Sequence, residues 1–385
     1  MRLTTRALSF AAGLGCAAAL VGAEGCGGRT DLDSFDDAGD GGGGSSGGSG
    51  GAGSVCGVDS GPLRPSCARG GAGMTDCGQC NESCCTSLEV SGGTYDRTYT
   101  NSGGGPTGQA DPATVSTFRL DRYEVTVGRF RQFVNAWDSG SGWLPATGSG
   151  KHTHLNGGQG LADSASPGAY ETGWVSSDNS NIAPTDTNLH CPPGVVAATW
   201  TASAGGNENR PINCVNWYEA YAFCIWDGAF LPSEAEWEYA AAGGSEQREY
   251  PWGTTDPGTG NQYAIYAGSD AESLPICYYP SAGACTGPEN IAPVGTPTLG
   301  GGLWGQLDLA GNVNEVNLDW HASYVSPCTD CGDLTPGPLS PIIDGRVDRG
   351  GDWVFVKTAM VPSDRGNEPP LVRSMGLGFR CARPP

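Results

Sequence analysis

Three kinds of residue could do chemistry in this chain. The first is cysteine, 16 in number. Cys77 and Cys80 form a Cys-x-x-Cys pair with Cys84 and Cys85 close behind, which is a spacing that zinc knots use. Cys328 and Cys331 form a second such pair, suited to redox exchange. The second kind is histidine: His152 and His154 stand as His-x-His in "GSGKHTHLNGG", beside His190 and His321 elsewhere. The third is acid. Glu234, Glu236 and Glu238 alternate along "PSEAEWEYAAAGG", and Asp308 and Glu315 frame "DLAGNVNE". Each set also has a plainer reading. Cysteines of an exported chain oxidise to structural disulfides. The histidine pair falls in a Gly-rich stretch that reads as a solvated loop. Glu236 sits where a helix capping box needs an acid, and Glu234 and Glu238 fall on what reads as an exposed helix face. The Gly-rich "GGGLWGQLDLAGN" lacks the Lys-Ser/Thr ending and basic company of a phosphate cradle. The plainer readings are adopted.

The N-terminus says why the cysteines should be oxidised. Arg2 and Arg6 precede an apolar run from Ala7 to Ala23, too short to span a bilayer, so residues 1–25 read as an export signal. Cys26 follows Gly25 and suggests a lipid-modified cysteine, hence a membrane-anchored lipoprotein; ordinary secretion is the alternative. Setting aside Cys16 and Cys26, Cys56, Cys67, Cys77, Cys80, Cys84 and Cys85 form an early group. Cys191, Cys214, Cys224, Cys277, Cys285, Cys328, Cys331 and Cys381 form a later one. Both groups are even, as closed pairing within each requires.

Residues 26–55 are Gly, Ser and Asp with almost nothing to bury, and a coil of that length spans roughly 30 Å as a tether. Residues 56–112 form a Cys-rich segment, too polar for a core of its own and in need of disulfide staples. The folded body is expected over residues 113–385. Net charge is −21 although only 16% of residues are charged, so basic side chains are scarce. No basic patch is available to neutralise phosphates, which excludes nucleic acid as a partner. An acidic surface of this kind suits cations.

Within the body, "STFRLDRYEVT" reads as two strands about a turn at Asp121-Arg122. Thr126 caps a helix with Phe130, Phe133, Val134 and Trp137 on one face. Residues 138–209 are rich in Gly, Ser and Asn and read as an elaborated surface loop held by Cys191. "NWYEAYAFCIWDG" opens on the capping box Asn216/Glu219 and "PSEAEWEYAAAGG" on Ser233/Glu236, each ending at Gly. Short apolar segments broken by Gly and Pro follow, so the class is α+β with much irregular backbone.

These segments occur in a specific order: "LDRYEVTVGRFRQFV", "RPINCVNWYEAYAFCIWDGAFLPSEAEWEYAAAGG", "YPWG", "GLWGQLDLAGNVNEVNLDW", "RVDRGGDW" and "LGFRCAR". Together they resemble the formylglycine-generating enzyme family, also called sulfatase-modifying-factor domains, from about Phe118 to Arg383. The resemblance implies a compact domain related to C-type lectin folds. It extends neither to the tether nor to the Cys-rich segment. Active members oxidise a substrate cysteine to formylglycine with oxygen and a copper ion held by two cysteines, soft ligands for a soft ion. At those two positions this chain has Phe355 and Met360. Asp352 replaces the family's Ser after Gly-Gly, and Asn314 replaces its aromatic. Copper-dependent oxidation is therefore not expected. A related branch binds iron through three histidines on an additional helical domain, for which this chain has no counterpart.

The resemblance also implies a structural calcium site at Asp308, Gly311, Val313 and Glu315, an all-oxygen set that suits a hard cation. The family's other calcium site is degraded, with Ala264 and Thr286 at ligand positions. Cys224 and Cys381 match a family disulfide that would close most of the body into one loop, worth up to roughly 5 kcal/mol. Cys191 with Cys214, Cys277 with Cys285, and Cys328 with Cys331 are plausible pairs by proximity. The expected function is an exported, non-catalytic binding module for a peptide, protein or glycan. An oxidoreductase with altered chemistry and a purely structural surface protein are the alternatives.

Overall fold

The structure, a computed structural model, describes residues 63–138, 142–192, 196–269, 274–336 and 345–385. The export signal, Cys26, Cys56 and the tether lie outside the described residues.

Helix α1 (Val127–Asp138) starts where Thr126 accepts the Arg129 N–H in its hydroxyl at 3.2 Å. Its Phe130 and Phe133 are fully buried, and their rings lie 5.7 and 5.9 Å from Phe223. Phe223 belongs to α3 (Trp217–Trp226), which follows the short α2 (Asp186–Leu189). Both expected capping boxes form, at Asn216/Glu219 for α3 and Ser233/Glu236 for α4 (Glu234–Ala242). Helix α4 stops at Gly243, whose φ of 67° is a conformation that favours glycine. Phe379 closes the aromatic cluster 5.4 Å from Phe223, and the neighbouring Cys381 is bonded to Cys224 of α3. Each aromatic contact of this kind adds about 0.5–1.5 kcal/mol beyond burial.

The strands are short and lie in five small sheets. β1 (Ser87–Val90), β4 (Phe118–Asp121) and β15 (Ala382–Arg383) form one, with β4 central. β2 (Gly93–Thr100) and β3 (Thr107–Val115) form a hairpin to which β10 (Cys328–Thr329) adds in parallel. β5 (Ala162–Asp163) pairs with β11 (Cys331–Gly332), and β6 (Ala267–Ser269), β7 (Pro275–Cys277) and β8 (Gly283–Ala284) form a meander. The fifth sheet has the order β13 (Gly366–Glu368), β12 (Arg346–Arg349), β9 (Asn314–Trp320), β14 (Leu377–Gly378). Few helices, mixed pairing and long irregular connections make this an α+β fold.

Three expectations are corrected. The boundary drawn between residues 112 and 113 falls inside β3, and β1 pairs with β4 across it. The reason is the alternation Tyr95, Arg97, Tyr99, which buries every second side chain of β2. Tyr95 packs on Tyr239 at 5.3 Å and donates its hydroxyl to the Ala235 carbonyl of α4. Residues 138–209 are no simple surface loop: Leu155, Leu161, Trp174, Ile182, Leu189 and Trp200 are buried in the same core as α1 and α3. Their irregular spacing has no helical or strand period to betray them. After Asp121-Arg122 the chain forms no second strand; Val125 instead donates its N–H to the Phe379 carbonyl and accepts from Ile212.

The disulfides Cys191–Cys214, Cys224–Cys381, Cys277–Cys285 and Cys328–Cys331 join the pairs named from the sequence. In the early group Cys67 is bonded to Cys85 and Cys77 to Cys84, and Cys80 is also in a disulfide. These bonds leave those cysteines neither zinc-binding thiolates nor free thiols.

Candidate functional site

β12 runs into Gly350 and Gly351, whose φ values of 97° and 69° fold the chain back on itself. Asp352 then caps the following turn, its Oδ1 accepting the N–H groups of Val354 at 2.9 Å and Phe355 at 3.1 Å. Trp353 is buried, with its N–H on the Asn312 carbonyl. The two positions at which the family places its copper cysteines diverge from here. Phe355 is 42% exposed, whereas Met360 is 1% exposed in an apolar cluster with Tyr250, Ala264, Tyr266 and Ala310. A benzyl ring offers no ligand, and the Met360 thioether is neutral and packed among aromatic and methyl groups.

Asp308, Gly311 and Val313 lie on the loop that feeds β9 and Glu315 in β9 itself, with Asp308 and Gly311 in the left-handed region. Glu315 is buried and committed: Arg380 donates Nε–H to Oε2 at 2.7 Å and Nη2–H to Oε1 at 2.6 Å. Trp237 adds its indole N–H to Oε2 at 2.8 Å. Asp308 is different. Its Oδ2 takes the Gly295 N–H at 2.6 Å, while its Oδ1 is buried without a hydrogen-bond partner. A third carboxylate, Glu124, was not singled out by the sequence; it accepts the Asn312 amide at 2.7 Å and the Val313 N–H at 3.1 Å. Burial, with Asp308 and Glu315 nearby, pushes Glu124 well above the usual carboxylate range. Burial pushes Asp308 up to about 6 against the Gly295 N–H.

These residues fit a calcium ion in part. The bare Oδ1 of Asp308 is the kind of hard donor calcium takes, and a dication would offset the surplus negative charge around Arg380. Glu315, with three of its four acceptor positions used, could give only one more.

The other acids and histidines depart from their expected roles. Glu234 and Glu238 are buried rather than on an exposed helix face. Arg365 holds Glu234 at 2.6 and 2.7 Å, and Arg349 reaches both Glu234 and, at 3.0 Å, Glu238. Burial opposes ionisation of Glu234, yet Arg349 and Arg365 bring it down to about 2; burial lifts Glu238 to about 7. His152 is fully buried, not in a solvated loop. Its Nδ1 lies 3.0 Å from Glu171 and its Nε2 3.0 Å from Glu236, so neither nitrogen is free for a metal. Burial alone would depress it, but Glu236 and Glu171 raise it to about 10. His154 stacks on Phe230 at 5.6 Å. Glu171 lies 19 residues from His152, but Glu236 lies 84 away and the carboxylate partners of Arg349 more than a hundred, and no local pattern reveals them.

A family profile described as "Sulfatase-modifying factor enzyme 1-like domain" matches residues 75–385. The chain is 30% identical over 290 residues to the formylglycine-generating enzyme of Mus musculus, covering 70% of this chain and 66% of that one. It is 30% identical over 292 residues to the enzyme of the same name from Thermomonospora curvata, covering 70% and 83%. It is also 30% identical over 297 residues to the mouse protein named inactive C-alpha-formylglycine-generating enzyme 2, covering 71% and 78%. The chain thus spans just under two thirds of the first of these relatives. The match begins within the Cys-rich segment, consistent with β1 to β3 being part of the fold. From residue 75 to its end, this chain belongs to the sulfatase-modifying factor enzyme 1-like domain family.

Proposed function

We propose that this protein is an exported, non-catalytic member of its family that serves as a binding module for a peptide, protein or glycan. The observation that carries the reading is the pair Phe355 and Met360, one exposed and one in the core, at the positions of the copper thiolates. The identity to a mouse relative whose name calls it inactive supports it. Six disulfides among the described residues support export, since such bonds persist in oxidising compartments. Copper(I) titration with an oxygen-uptake assay on cysteine peptides tests it. The expected result is weak copper binding and no turnover. Sub-micromolar copper(I) affinity with formylglycine formation would overturn it in favour of the oxidoreductase reading. The proposal includes a structural calcium ion held by Asp308, Gly311, Val313 and Glu315, supported by the bare Asp308 oxygen.

A further inference from the structure

Besides the networks around Arg380, Arg349 and His152, one group of acids, Asp348, Asp352 and Glu368, joins no ion pair among the described residues; Arg346, opposite Glu368, stacks instead over Trp217 and Trp320. β12 and β13 pair antiparallel with Asp348 opposite Gly366 and Arg346 opposite Glu368. Asp348 and Glu368 are therefore diagonal neighbours on one face of the ladder. Asp348 is 6% exposed, and its carboxylate accepts no hydrogen bond and joins no ion pair among the described residues. It lies so close over Gly366 that a Cβ there would come 2.1 Å from Oδ1. Asp352 presses on Gly376 in the same way, where a Cβ would meet Oδ2 at 1.8 Å. Two glycines thus make room for two carboxylates. After burial, Glu368 and Asp352 are the largest of the charges acting on Asp348, and Glu368 is the charge acting on Asp352. Arg349, the nearest basic residue in sequence, turns away to Glu234 and Glu238.

Phe355 and Val356 follow Asp352, and Leu371 and Val372 follow Glu368; all four are exposed, Leu371 by 57%. No cluster of three Asp, Glu, His or Cys among the described residues could hold a metal ion. Acids that do not close into a metal-holding group, with exposed apolar residues following them in the chain, match an extended organic cation better than a compact ion. The chain's charge of −21 would steer cations toward it.

We propose that this face binds a polypeptide partner through a lysine or arginine side chain flanked by an apolar residue. The charged head sits among Asp348, Asp352 and Glu368, and the apolar neighbour rests on Phe355 and Val356. This inference rests on the binding-module reading and names the ligand class for it.

The test uses the full chain and the peptide acetyl-Gly-Leu-Lys-Leu-Gly-amide, against a counterpart with Gln for Lys, by calorimetry. The lysine peptide should bind at least about tenfold more tightly, as one charge-assisted contact allows. Glu368→Gln, at a partly exposed position, and Asp348→Asn should each remove most of that preference while leaving the melting temperature within a few degrees or raising it. Affinity should increase as pH rises through about 7 and 8, where Asp352 and Asp348 ionise. Equal binding of the two peptides, or a preference that survives both variants, overturns the inference but leaves the binding-module reading standing. No binding of these peptides, or of any peptide or glycan in an array, overturns both. Saturable calcium binding lost in Glu368→Gln, without peptide preference, would make this face a metal site and also overturn it.

Discussion

His152 and Glu236 join a loop to a helix cap through one buried contact: the imidazole Nε2 lies 3.0 Å from Glu236 Oε2. The same oxygen accepts the Ser233 N–H and hydroxyl at 2.8 and 2.9 Å, so the capping box and the ion pair share an atom. With Glu171 on the other ring nitrogen, the imidazole is held as a cation up to a pH of about 10. Because that value is raised above the unfolded one, the contribution to stability is complete below the ordinary histidine range and fades as pH rises toward 10. Unfolding in urea across neutral to alkaline pH should show this fall, and His152→Gln should flatten it. The variant should also lose about 3–5 kcal/mol at neutral pH, since two buried carboxylates are left without their cation.

Glu315 and Arg380 make a bidentate pair with both side chains buried. Removing either partner strands a charge, so Arg380→Ala should cost about 3–5 kcal/mol. A paired Arg380→Met, Glu315→Met replacement should cost much less than the sum of the single changes. A double-mutant cycle in urea reads the difference; additive losses would mean that the pair contributes little beyond its separate parts.

The proposed calcium ion makes a prediction at Asp308. Calcium should raise the melting temperature of the parent, and Asp308→Asn should abolish that gain. In the absence of calcium the variant should be as stable as the parent or more so, because it removes a carboxylate that burial already pushes up to about 6. Thermal melts with calcium and with chelator decide it. Equal calcium responses of parent and variant would remove Asp308 from the ligand set.

What the sequence revealed and what it hid follow from range. The capping boxes at Asn216/Glu219 and Ser233/Glu236 were legible because cap and partner are three residues apart and their chemistry is local. Disulfides such as Cys277–Cys285 were legible from proximity. Glu234 and Glu238 were misread, because their arginine partners lie more than a hundred residues on and nothing in "PSEAEWEYAAAGG" distinguishes a buried acid from a solvated one. Even so, a pointer existed: a chain with 20 basic residues against 41 acids leaves few arginines unclaimed, and "RVDRGG" spends two within four positions. The alternation in "GTYDRTYT" is equally local, and it is the signature of β2.

Cys224 and Cys381 are separated by 157 residues, and their bond ties α3 to the chain just before β15. In the chain-entropy view, replacing both with Ala should lower stability by up to roughly 5 kcal/mol, chiefly by loosening the unfolded chain. Removal of Cys191–Cys214, which closes 23 residues of separation, should cost less. Urea unfolding of the two double variants, compared at one temperature, gives the order. The reverse order would mean that native packing around Cys191 outweighs loop length.

The proposed loss of copper chemistry can be tested by putting the sulfurs back. Phe355→Cys with Met360→Cys restores the ligand types but not their setting. Met360 is sealed among Tyr250, Tyr266 and Ala310, and Asp352 fills the family's serine position with a carboxyl that burial pushes to about 7. Moreover, Asn314 still stands where the family has an aromatic. The double variant should therefore gain copper(I) affinity in a chelator competition yet still fail to oxidise a cysteine peptide. Turnover should need Asp352→Ser and an aromatic at 314 as well. If the two cysteines alone restore formylglycine formation, then the surrounding site was intact throughout, and the case for a binding module loses its main support.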